Sequence, residues 1–261
     1  MGRRLGQHFL YDPGILDRIV DALDPQSSDA VLEIGPGEGT LTGRLLPRVA
    51  TVVALERDAA LAAALATPAN PNLIVRAVDA LDVRWDQLMR EAGVTAPFKV
   101  VGNIPYYITS PLIDRALQYS TVPLTVFLIQ KEVADRLVAP AGSKVYGALT
   151  VGVQTFAHVE RLLTVKSGAF RPPPRVDSAV VRLRRRTAPL VADDRRTAFR
   201  EFVVALFGLR RKQLGRSLRT VLGRDAEQVT AILGSLGLAP TTRVETVTPH
   251  QLARLFEVVA R

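Results

Sequence analysis

Four residues stand where a strand of valines ends: Asn103-Ile104-Pro105-Tyr106, after Val100-Val101-Gly102. Their types suit one chemical problem. An amino group conjugated to a purine ring is a poor nucleophile, because its lone pair is delocalised into the ring. Two acceptors can hold its two hydrogens and aim the lone pair at an electrophile. The side-chain oxygen of Asn103 can be one acceptor. The carbonyl of Ile104, stiffened by Pro105, can be the other. Tyr106 offers a flat face on which a base taken out of its stack can rest. Such a site works by positioning and electrostatics and needs no strong general base. The competing reading is an Asn-Pro turn that ends a strand, with tyrosines capping the core.

A second group of residues carries a nucleotide signal. Leu32-Glu33-Ile34-Gly35-Pro36-Gly37-Glu38-Gly39 places glycines at alternate positions between a strand and a helix. Glycine serves where backbone turns sharply or touches a ligand. Glu56, at the end of the next strand, can accept hydrogen bonds from both ribose hydroxyls of an adenosyl group. Asp79 ends the third strand and can bond an adenine amino group. A dinucleotide fingerprint requires G-x-G-x-x-G, whereas the spacing here is G-x-G-x-G. Acidic Glu33 and Glu38 also disfavour a pyrophosphate and tolerate a cationic sulfonium. A nicotinamide-dependent oxidoreductase fits poorly for these reasons. Three such features at successive strand ends resemble the S-adenosylmethionine site of Rossmann-like methyltransferases.

The elements that position these residues alternate. Strands are expected at Ala30–Ile34, Thr51–Leu55, Asn72–Val78, Phe98–Gly102 and Leu124–Ile129, with helices at Thr40–Val49, Ala59–Ala66, Pro111–Tyr119 and Lys131–Leu137. Two further strands are expected near Glu160–Val165 and Ser178–Arg184, joined by an extended loop at Phe170-Arg171-Pro172-Pro173-Pro174. This rhythm predicts an α/β fold with a doubly wound parallel sheet. Beyond Thr187 the spacing turns helical: Asp194–Phe207, Arg210–Leu222, Asp225–Leu236 and Pro249–Val259. The expected organisation is therefore a catalytic sheet domain over residues 1–187 and a small all-helical domain over 188–261. Thr248 reads as a helix cap with Pro249 at the first turn.

Charge points to the partner. The chain of 261 residues carries a net charge of +9. The excess sits in Arg161–Arg224, which holds 17 Lys and Arg against 4 Asp and Glu. Such clustering fits a polyanion-binding face. Arg210, Arg211, Lys212, Arg216 and Arg219 are the candidate RNA contacts, and Arg182, Arg184 and Arg186 alternate along a strand. The absence of cysteine excludes disulfides and thiolate metal sites. No apolar run long enough to span a membrane and no secretion signal is read, so a cytoplasmic protein without metal is expected. No heptad stands out, and a monomer is the default expectation.

Taken together, the motifs resemble one family over nearly the whole chain. Leu5-Gly6-Gln7-His8-Phe9-Leu10, Glu33-Ile34-Gly35-Pro36-Gly37 and Asn103-Ile104-Pro105-Tyr106 are similar to those of the ribosomal RNA adenine N6-dimethyltransferases. So are Gln130–Leu137, Ser143–Gly147 and Phe170–Val181. The Pro-rich loop and Arg210–Leu218 look like the housekeeping branch, the KsgA type, rather than the macrolide-resistance branch that modifies large-subunit RNA. The resemblance implies transfer of methyl groups from S-adenosylmethionine to N6 of two adjacent adenosines in the 3′-terminal hairpin of 16S rRNA, during assembly of the 30S subunit. It implies cofactor contacts at His8, Leu10, Gly35, Gly37, Glu56, Asp79 and Asn103. It also implies a catalytic set of Asn103, Ile104, Pro105 and Tyr106, with Phe170 either closing over the flipped base or packing under the proline loop. Position 8 is often Asn in relatives, so His8 is expected to act through its backbone. The rivals are large-subunit methylation and a non-catalytic assembly factor.

Overall fold

The structure is a computed structural model and describes residues 8–260. Leu5-Gly6-Gln7 of the first motif therefore lie outside the described residues. The chain divides into two compact units, Met1–Ala134 with Val159–Arg185, and Asp135–His158 with Arg186–Arg261.

The first unit is built on parallel strands. In chain order it holds β1 (Phe9–Leu10), α1 (Pro13–Ala22), β2 (Ala30–Ile34), α2 (Thr42–Leu45), β3 (Thr51–Glu56), α3 (Ala59–Leu65), β4 (Leu73–Ala77), α4 (Trp85–Glu91), β5 (Lys99–Asn103), α5 (Thr109–Gln118) and β6 (Leu124–Gln130). α6 (Lys131–Leu137) and α7 (Ala148–Gln154) follow, then β7 (Ala157–Val165), β8 (Phe170–Arg171) and β9 (Ser178–Arg185). The main sheet has the order β4-β3-β2-β5-β6-β9-β7. β2, β3, β4, β5 and β6 pair in parallel, and β9 runs antiparallel to β6. β1 and β8 form a separate antiparallel pair, with Leu10 opposite Phe170.

The valine-rich runs explain the interior strands. Val31, Val52, Val100, Val101 and Val126 are fully buried, as expected for strands covered on both faces. Strand order reverses between β2 and β5, which is the switch point where open α/β sheets bind ligands. Gly102 is what lets β5 lie there. A Cβ on it would stand 2.5 Å from the Ile34 carbonyl on the neighbouring strand.

Local chemistry sets the helix ends. Asp12 caps α1 by accepting from the Ile15 amide at 3.0 Å, with Pro13 in the first turn. Its apolar residues Leu16, Ile19 and Val20 join Leu10, Leu41, Val126 and Phe170 in one core cluster. α2 is shorter than the expected Thr40–Val49 and stops at Leu45. Pro47 explains this, since it has no amide hydrogen to return to the Gly43 carbonyl.

The second unit is mainly helical. Beyond β9 it holds α8 (Arg196–Gly208), α9 (Leu214–Leu222), α10 (Ala226–Ser235) and α11 (Pro249–Val259). α9 begins four residues later than expected. The amides of Leu214 and Gly215, free at an ordinary helix start, donate to the carbonyls of Thr242 and Pro240 at 2.6 and 2.9 Å. Thr248 caps α11, accepting from the Gln251 amide, and Pro249 follows it. Within this unit Tyr146 is fully buried, and its hydroxyl donates to the Val247 carbonyl at 2.7 Å. The boundary read at 187–188 lies two residues past Arg185, while Asp135–His158 groups with the C-terminal helices by spatial contact that local patterning does not encode.

Candidate active site

The carboxyl ends of β2, β3 and β5, with the residues after β4, open into one pocket. Gly35 and Gly37, Glu56, Asp79, and Asn103 to Tyr106 all line it, as do His8 and Leu10. The glycine loop and the Asn-Ile-Pro-Tyr motif, far apart in the chain, therefore share one cavity.

The loop after β2 is shaped by what surrounds it. Gly37 has φ of 57°, and a Cβ there would stand 2.8 Å from the ring of Phe9. Its amide donates to Glu56 Oε2 at 3.0 Å. The other Glu56 oxygen accepts from the Asp58 amide at 2.9 Å. Asp58 in turn caps α3 through Ala60 and Leu61. Glu56 is thus fixed by two backbone donors, one from the glycine loop and one from the turn that starts α3. Asp79 accepts from the Leu81 amide at 2.9 Å and pairs with Arg57 at 3.5 Å.

Glu33 lies beneath the loop and is almost wholly buried. Thr42 Oγ1 donates to its Oε2 at 2.7 Å. Burial pushes its carboxyl up to about 7; the Thr42 hydrogen bond opposes this and the charge of Glu56 adds to it. The sequence shows Glu33 only as an acid disfavouring pyrophosphate. Its place on a fully paired interior strand is what could have marked it as a buried acid.

Asn103 closes β5. Its Nδ2 donates to the His8 carbonyl at 2.8 Å, which turns Oδ1 to the opposite side of the amide. The Ile104 amide is bonded to the Leu128 carbonyl at 3.0 Å, so β6 locks the motif in place. The Pro105 carbonyl accepts from the Ile108 amide at 3.2 Å. Among the described residues no loop or turn amide donates to the Ile104 carbonyl. Tyr106 is held at its far end, where its hydroxyl bonds Ser178 Oγ at 2.9 Å. Burial raises the Tyr106 phenol above its ordinary value, and the Ser178 bond pulls it partly back. The ring stacks on His8 with centroids 6.0 Å apart. His8 itself bonds the Pro172 carbonyl through Nδ1 at 2.7 Å.

Two of the expected site residues make contacts within the fold. Phe170 is 2% exposed and packs in the core cluster with Leu10 and Leu16. It is not among the residues that line the pocket. Arg210 is tied down as well: Nε bonds Glu245 at 2.7 Å and Nη2 bonds the Lys144 carbonyl at 3.0 Å. Arg211, Lys212, Arg216 and Arg219 are exposed. Arg216 and Arg219 lie one turn apart on α9 and, with Arg224, line a groove in the second unit. Arg182 is paired with Glu160 and Arg186 bonds the Gln154 carbonyl, so neither is an open basic contact on the strand.

Comparison with known proteins decides the family. The family model described as ribosomal RNA adenine dimethylase matches residues 2–261. The chain belongs to the ribosomal RNA adenine dimethylase family. A relative named ribosomal RNA small subunit methyltransferase A from Xanthomonas campestris is 40% identical, covering 98% of this chain and 95% of that protein. A protein of the same name from Halothermothrix orenii is 39% identical over 96% of this chain and 85% of its own length. Among solved structures, a dimethyladenosine transferase from Plasmodium falciparum superposes with a TM-score of 0.80 at 26% identity, covering 97% of this chain and 98% of that one. The 23S rRNA methyltransferase ErmE superposes at 0.74 with 31% identity, covering 97% and 100%.

Membership of the dimethylase family makes S-adenosylmethionine the cofactor. The pocket's chemistry suits it. Its lining offers three acids and a single Arg, which favours hydroxyl donors and a cationic centre over phosphate. A Cβ at Gly37 would meet the Phe9 ring, so only glycine fits where the loop passes that side chain. Among the described residues no cluster could hold a metal ion, and no helix is long and apolar enough to cross a membrane.

Proposed function

We propose that this dimethylase transfers methyl groups from S-adenosylmethionine to N6 of two adjacent adenosines in the 3′-terminal hairpin of small-subunit rRNA, giving N6,N6-dimethyladenosine during subunit assembly. The observation that carries the reading is the Asn103 amide. Its nitrogen is committed to the His8 carbonyl, so its oxygen is presented as an acceptor. The names of the relatives, small-subunit methyltransferases at about 40% identity, support the choice of RNA.

In this reading Glu56 holds the ribose hydroxyls and Asp79 the adenine amine of the cofactor, with Gly35, Gly37 and the backbone of His8 and Leu10 closing around it. Bound there, the cofactor supplies a methyl group made electrophilic by its sulfonium. Tyr106 stacks the flipped adenine, and the Ser178 bond keeps its ring from rotating away. Asn103 Oδ1 and the Ile104 carbonyl accept the two N6 hydrogens and direct the lone pair. Those acceptors also stabilise the positive charge that N6 gains as it bonds carbon. The proton then leaves to solvent, since the product amine cation is strongly acidic. After the first transfer one N6 hydrogen remains, and one acceptor suffices to orient it for the second. Arg211, Lys212, Arg216 and Arg219 hold RNA phosphates.

The test is methyl transfer with small subunits lacking the modification. Asn103→Ala is expected to lose at least a hundredfold in kcat while keeping RNA affinity. A variant retaining full kcat would overturn the acceptor role.

A further inference from the structure

Tyr107 is a large aromatic side chain left in solvent at the pocket. It is 60% exposed, follows Tyr106 directly and lines the mouth of the pocket. Arg57 Nη1 donates to its hydroxyl at 3.4 Å, and the same nitrogen lies 3.5 Å from Asp79 Oδ2. The Arg57 side chain is itself 55% exposed. Tyr11 makes a useful contrast. It too is exposed, but its hydroxyl donates to the Gly168 carbonyl at 2.7 Å and the Arg171 guanidinium covers its ring at 4.6 Å. The fold uses that ring. Among the described residues no aromatic ring or guanidinium stacks on Tyr107.

We propose that Tyr107 and Arg57 form a docking rim for the nucleotide next to the target adenosine, the ring stacking its base and the guanidinium pairing with its phosphate. This rests on the methyl-transfer reading above. An adenosine drawn into the pocket leaves its neighbour without a stacking partner. A tyrosine ring at the mouth restores that stack, and does so for any base, because every base has a π face. Arg57 keeps the ring at the mouth through its hydroxyl and places a cation beside the backbone, where Asp79 has left it partly neutralised but still accessible. An exposed aromatic beside an exposed cation is the pairing that single-stranded nucleic acid requires. Arg57 also reaches from the residue assigned to the cofactor's adenine to the residue assigned to RNA.

The test uses the full protein, saturating S-adenosylmethionine and small subunits lacking the modification. Tyr107→Leu keeps bulk and removes the π face. It is expected to raise KM for the subunits roughly tenfold, with cofactor affinity by calorimetry unchanged. Tyr107→Phe and Tyr107→Trp are expected to hold KM within about threefold of the parent, since they keep the ring. Tyr107→Leu with an unchanged KM, beside a wild type that methylates normally, overturns this inference alone. A fall in cofactor affinity that matches the rise in KM also overturns it, assigning Tyr107 to the cofactor. A wild type that transfers no methyl overturns the parent reading and this one with it.

Discussion

Replacing Glu33 with Gln changes one buried proton and little else. Gln has nearly the same shape and keeps an acceptor for Thr42 Oγ1. In the wild type, burial holds the carboxyl at about 7 instead of the ordinary 4.5. The sign follows from where each state releases its proton. Between these values the unfolded chain loses the proton and the folded chain keeps it. Stability contributed by Glu33 is therefore greatest at low pH, falls as pH rises through that window, and levels off above about 7. At about 1.4 kcal/mol per pH unit, the displacement is on the order of 3 kcal/mol. Glu33→Gln has no such proton, so its stability relative to wild type should rise by that amount between about pH 5 and about pH 8. Trp85 is the only tryptophan and is fully buried in the sheet unit, so its fluorescence reports the relevant unfolding. Urea titrations of both proteins at the two pH values give the difference. A change below about 1 kcal/mol would refute the claim that Glu33 is folded in as a neutral acid.

Other expectations follow from the same geometry. Glu56→Gln should weaken S-adenosylmethionine binding by roughly tenfold to a hundredfold, measured by calorimetry, because a charged acceptor for two hydroxyls becomes a neutral one. Ser178→Ala frees the Tyr106 hydroxyl; kcat should fall roughly threefold to tenfold with RNA affinity unchanged, the cost of a ring less well held. Arg216→Gln with Arg219→Gln should lower RNA affinity across sequences and reduce the salt slope by about one for each phosphate no longer neutralised. An unchanged slope would remove those two residues from the RNA face. Tyr146→Phe should cost about 1–2 kcal/mol in chemical denaturation, because the Val247 carbonyl loses its buried donor.

Much of the site was legible in sequence because its parts end strands. Valine-rich runs announce interior parallel strands, and ligands meet such sheets at strand ends, so Gly35, Glu56, Asp79 and Asn103 could be placed together from spacing. What stayed hidden depends on bonds between distant segments. The Asn103 bond to the His8 carbonyl and the Tyr106 bond to Ser178 join residues 95 and 72 positions apart. No local pattern announces either. The pairing of Phe170 with Leu10 is another such long-range contact. Arg210 reads as part of a basic face, and its bond to Glu245, 35 positions on, is announced by no local pattern. The α1 helix is different, since Asp12-Pro13 and the spacing of Leu16, Ile19, Val20 and Leu23 were readable cues that the strand pattern overshadowed.

The central claim is that Asn103 directs methyl transfer to small-subunit adenosines. Labelled S-adenosylmethionine, small subunits lacking the dimethyladenosines and, in parallel, large-subunit RNA test it most directly. Label recovered as N6,N6-dimethyladenosine in the small subunits, and lost with Asn103→Ala, is the predicted result. Label only in the large-subunit RNA, or tight subunit binding with no label in either, would contradict it.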